Sequence, residues 1–133
     1  MTPEARDYLC KAREDLNDAR KVAAIGLAKV AARAAYYTAF HTAEAFIVER
    51  TGKIAKTHSG LRSEFARLAR GVAEIDKAFS VFLAQAYKYK EISDYGVGPG
   101  AVITMAEAEE AVMIASRMID RVAALLGDRP AQP

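Results

Sequence analysis

Tyr37, His41 and Glu44 stand four and then three residues apart, so a helix carries all three on one face. An imidazole that titrates near neutrality, set beside a phenol and a carboxylate, can move a proton. The plainer alternative is a buried histidine satisfied inside a helical core. Arg33 lies two turns before His41 on nearly the same face. Either it pairs with a carboxylate, for which Asp94 is the candidate, or it waits for a phosphate. Tyr36, Phe40, Ala43 and Ile47 make a second, apolar stripe beside the polar one.

A second group of chemically capable residues follows. His58 comes directly after Thr57, a good helix N-cap, and has Lys53, Lys56 and Arg62 nearby. A helix start that exposes N–H groups among cations is a reasonable anion site. Between residues 50 and 70, Arg50, Lys53, Lys56, Arg62, Arg67 and Arg70 face Glu64 alone, although the whole chain carries only +2. That band is either a phosphate-facing surface or an ordinary solvated face. Lys90, Asp94 and Tyr95 close the set, near Gly96, which reads as a left-handed helix terminator.

Five helical segments must position these residues. The first runs from about Pro3 to Ile25 behind Thr2, with Gly26 after it. A second spans about Ala28 to Thr51, stops at Gly52, and is apolar around so much of its circumference that it should be the central helix. The third, shorter, begins near Thr57 and runs to Gly71, and the fourth starts near Asp76 and ends before Gly96. After a Gly-Pro-Gly loop the fifth opens at Thr104, with Glu107 three residues on as in a capping box. The expected fold is all-α: an antiparallel up-and-down bundle of four long helices and one short one. Residues 1–133 read as one domain, with 127–133 a frayed tail.

Composition narrows the function classes. Cys10 is the only cysteine, which removes an intrachain disulfide and a cysteine-based zinc site and leaves a structural thiol as its expected role. The histidines form no Glu-x-x-His array, and the glycines at 96, 98 and 100 follow a helix rather than a strand. Neither a metal, nor a phosphate loop, nor a cofactor is therefore expected. No apolar run approaches the ~18 residues of a membrane span, and the acidic N-terminus lacks a signal sequence. A cytoplasmic location is the expectation.

Three blocks, ARAAYYTAFHTAEAF at 32–46, KTHSGL at 56–61 and AYKYKEISDYG at 86–96, occur in an order and separation that resemble a HEPN domain (higher eukaryotes and prokaryotes nucleotide-binding). The likeness is to its small stand-alone prokaryotic branch and spans about residues 5 to 126. It implies a four- to five-helix bundle that commonly dimerises, binds nucleotide or RNA, and often pairs with a minimal nucleotidyltransferase, also in toxin–antitoxin systems. Many catalytic members are metal-independent RNases that place an Arg four to six residues ahead of a His. Here Arg33–His41 and Arg50–His58 each leave seven residues between, Lys53–His58 leaves four but without an Arg, and Lys90 stands where an Arg is usual. Lys lacks the guanidinium fork that grips a phosphate at two points. The expectation is a non-catalytic binding domain or nucleotidyltransferase partner, with Tyr37, His41, Lys53, Lys56, His58, Arg62, Lys90, Asp94 and Tyr95 at the ligand. The alternatives are a divergent RNase using His41 and Arg33, and a dimeric structural adaptor.

Overall fold

The computed structural model describes residues 1–128, and among them the chain is entirely helical. Its elements are α1 (Pro3–Ala24), α2 (Ala28–Thr51), α3 (His58–Ala69), α4 (Lys77–Tyr95) and α5 (Met105–Leu125). The all-α bundle of four long helices and one short one is what the sequence implies. The expectation of a frayed tail falls mostly outside the described residues.

The helix starts follow local chemistry. Thr2, Thr57, Asp76 and Thr104 each accept a backbone N–H with the side chain. At α5 the capping box is complete, because Glu107 also accepts from the Thr104 N–H. Thr57 and Thr104 are the caps that their residue types imply. At the far end of α2, Gly52 adopts φ 71°, a left-handed conformation that a side chain would disfavour.

One expectation about helix termination is corrected. Gly96 does not take a left-handed conformation: it is extended, with φ −71° and ψ 137°. A Cβ there would come within 2.7 Å of both the Ala101 Cβ and the Ile92 carbonyl oxygen. The position needs glycine because the α4–α5 loop folds tightly back over the end of α4, not because of its φ angle.

α2 is the axis of the fold and packs against all four other helices. Thirteen of its residues are buried, six of them alanines, which lets its neighbours approach closely on several sides. Tyr36, Phe46, Leu61, Phe65, Leu83 and Met118 are the large side chains of the core, and the Phe46 and Phe65 rings meet edge to face at 5.6 Å. On another side Leu9, Ala12 and Leu16 of α1 pack with Ala45, Ile119 and Ala123.

Cross-links report the helix directions. Thr2 at the start of α1 donates to Glu49 near the end of α2, and Arg33 near the start of α2 meets Asp94 near the end of α4. α1 and α4 therefore both run antiparallel to α2. The 52–57 loop carries the chain back along α2, so that α3 begins beside Tyr36 and Phe40 while Phe65 reaches Phe46. That return brings His58 against the middle of α2. Cys10, expected to be a packed thiol, is exposed on α1. No described helix is long and apolar enough to cross a membrane.

Because the Thr104 cap satisfies α5 N-terminal donors from both sides, Thr104→Ala is expected to lower stability by about 1 kcal/mol. Urea unfolding of the two proteins should show a lower midpoint with an unchanged slope.

Candidate nucleotide-binding cleft

The two histidines lie in environments of opposite character. His41, on α2, has Nδ1 2.8 Å from Glu44 Oε1, so Nδ1 donates to the carboxylate. Its Nε2 lies 3.5 Å from Asp15 Oδ2 of α1, and Tyr8 stacks against the ring at 6.4 Å. His41 is thus a tie between α1 and α2 in an acidic setting.

His58, the first residue of α3, sits in an aromatic nest. Its ring centroid is 4.8 Å from Phe40, 5.3 Å from Tyr87, 5.7 Å from Tyr36 and 6.2 Å from Tyr37. Nδ1 is 2.6 Å from the Tyr36 phenol oxygen. Tyr36 is fully buried, and burial pushes its phenol far above the ordinary value, with the Arg62 guanidinium opposing the shift only in part. The phenol therefore keeps its proton and donates it to Nδ1 of a neutral His58, which leaves the imidazole proton on Nε2. Burial is also the main cause that lowers the His58 pKa below 6.5, followed by Lys90 and Arg62.

Cations surround this nest. Arg62, one turn along α3 from His58, lies over the Tyr87 ring at 4.5 Å. Its Nη1 is buried and has no hydrogen-bond partner among the described residues. Lys90 stands 5.9 Å from the Tyr87 ring centroid and 5.2 Å from that of Tyr95. Arg33 lies over Tyr37 at 4.9 Å and donates from Nε to Asp94 Oδ1 at 2.6 Å. Asp94 is thereby held below the usual carboxylate range, by Arg33 first and with help from Lys90, whose Nζ is 3.4 Å away.

The result is a cleft of alternating rings and cations contributed by α2, α3 and α4. Aromatic faces can stack on a nucleobase, while guanidinium and ammonium groups can meet phosphate. Three cations (Arg33, Arg62, Lys90) face two carboxylates (Glu91, Asp94), so the cleft favours an anion even with His58 neutral.

Of the residues singled out from sequence, Arg33, Tyr37, His58, Arg62, Lys90, Asp94 and Tyr95 converge here. His41 does not. Lys53 and Lys56 border a separate shallow depression with Ile54, Gly60 and Glu64. The basic band is divided: Arg50 covers the Phe46 ring, Arg67 binds Glu64 twice, and only Arg62 enters the cleft. Sequence reasoning missed Tyr36, Phe40 and Tyr87 as members. Tyr87 could have been found, since it lies three residues before Lys90 on the same helix face. Tyr36 was read as apolar core, and its phenol finds a partner 22 residues away. A broad surface depression lies elsewhere, between the α3–α4 turn and α5, lined by Ile75, Phe79, Ile114 and Arg117. It collects no histidine and no comparable set of rings.

The family model described as HEPN domain matches residues 5–125. The chain belongs to the HEPN family. The solved structure of TT1696 from Thermus thermophilus superimposes with a TM-score of 0.78 at 27% sequence identity. The match covers 92% of this chain and 98% of that one. No protein with a curated function matches the sequence. In this HEPN domain the histidine of the second sequence block is the one set among cations, and the cation nearest along its own helix, Arg62, follows it in sequence.

The depressed His58 pKa sets a sign for stability. The folded state resists the proton that the unfolded chain accepts below pH 6.5, so the contribution is fully present above that value and is lost as pH falls through the folded pKa. His58→Gln, which cannot charge, should flatten this acid-side loss between pH 7 and 5 in thermal melts. Tyr36→Phe removes the hydrogen-bond partner of His58 Nδ1, and should cost about 1 kcal/mol in stability by urea unfolding.

Proposed function

We propose that this HEPN domain binds the phosphate and base of a nucleotide or RNA in the His58 cleft without cleaving it. The observation that carries the reading is Arg62: a guanidinium stacked on Tyr87, beside His58, with a buried Nη1 that has no hydrogen-bond partner among the described residues. A buried donor without an acceptor is costly, and an incoming phosphate oxygen would relieve it. Tyr87, Tyr37 and exposed Tyr95 supply faces for bases next to that phosphate. A homodimer, and a separately encoded nucleotidyltransferase as partner in a toxin–antitoxin pair, are compatible with the same cleft.

The alternative is a divergent RNase with His41 as base and Arg33 as the stabilising cation. Eight residues apart on one helix, they are separated by roughly 12 Å along its axis, and each is already engaged by a carboxylate. Arg50, which precedes His58 by the family's order but not its spacing, lies against Phe46. These engagements favour binding over cleavage, and over a purely structural adaptor, for which the stacked cations would have no use.

Single-stranded RNA is the test ligand. Binding that weakens with salt is expected, with RNA recovered intact. Arg62→Ala and Lys90→Ala should each weaken it about tenfold and reduce the salt slope by about one, whereas Lys53→Ala should change it little. Cleavage abolished by a folded His41→Ala protein would instead establish the RNase, and absence of binding would remove the proposal.

A further inference from the structure

We propose that the His58 cleft takes up a proton together with its phosphate ligand, so that mild acid tightens anion binding at this site. The inference rests on the phosphate-binding reading above and adds a regulation to it. It starts from the hydrogen bond between Tyr36 and His58, 2.6 Å long and made at Nδ1. In the free protein the phenol donates, His58 is neutral, and Nε2 carries the only imidazole proton. Adding a proton at Nδ1 reverses that bond: the imidazolium donates, and the phenol oxygen accepts.

Every charged or titratable group facing His58 bears on the cost. From its own helix comes Arg62, from α2 Tyr36, Tyr37 and the more distant Glu44, and from α4 Tyr87, Lys90 and Glu91. Burial, then Lys90 and Arg62, oppose the charged form, while Glu91 and Glu44 favour it. A phosphate between Arg62 and Lys90 neutralises the two cations that repel the imidazolium and adds its own attraction. The ligand thus shifts the balance toward protonated His58. By reciprocity, a protonated His58 binds the ligand more tightly by the same factor. His41 is a poor source of such coupling, because its partners are Glu44 and Asp15 rather than the cations of the cleft.

The test uses a fluorescently labelled oligoadenylate about six nucleotides long without terminal phosphates. Its phosphodiesters keep one charge each at every pH used, so ligand titration does not contribute. Lowering the pH from 7.5 to 5.5 should tighten binding to the wild-type protein about five- to tenfold, since one fully coupled proton changes affinity up to tenfold per pH unit. His58→Gln should abolish the dependence, and His41→Gln should retain it. If His58→Gln fails to fold, NMR of the wild-type imidazoles serves instead, and the His58 titration should move upward when RNA is added. Binding that is flat with pH, a dependence that survives His58→Gln, or a His58 titration unmoved by RNA would overturn the inference while leaving phosphate binding intact. Absence of binding at every pH would remove both.

Discussion

The fold and its cleft depend on how the fully buried Tyr36 is satisfied. Its ring belongs to the core, among residues from α2, α3, α4 and α5, and its phenol cannot be left there without a partner. His58 supplies that partner from the first turn of α3. One hydrogen bond thus fixes where α3 begins against α2 and occupies Nδ1 of His58. The Thr57 cap serves the same end by starting α3 at the residue that must meet Tyr36.

Around that bond the cleft is assembled from residues of limited reach. Arg62 and Lys90 converge on Tyr87 from two helices, and Asp94 gathers Arg33 and Lys90. These ion pairs are partly exposed at the surface, so their contribution to stability is small. Their consequence is positional. Asp94 keeps two cations oriented at the mouth of the cleft and restrains the net positive charge there.

Much of the fold was legible in the sequence because it rests on local rules. Apolar periodicity located all five helices, and Thr2, Thr57 and Thr104 marked starts through cap chemistry. The pairing of Arg33 with Asp94 was also readable, since a cation on an alanine-rich helix needs a carboxylate and few were placed to serve. The cleft was legible only in part. Tyr36 satisfies an apolar pattern and a polar contact at once, and a periodicity argument registers only the first. His41 drew attention through neighbours on its own helix, whereas His58 gains its surroundings from three helices. Lys53 and Lys56 share a sequence neighbourhood with Arg62 but point to another surface. Gly96 was assigned to helix termination because the close approach of Ala101 is set by a loop whose path the sequence does not announce.

That close approach makes the α4–α5 connection uneven in its tolerance of change over a few residues. At Gly100 a methyl group would meet open space, while at Gly96 it would collide with the Ile92 carbonyl and Ala101. A substitution is therefore accommodated at Gly100, strained at Gly98 by its φ of 85°, and blocked at Gly96. Since Asp94 lies only two residues before Gly96, the backbone that carries a cleft carboxylate is pinned by a packing contact that has nothing to do with binding.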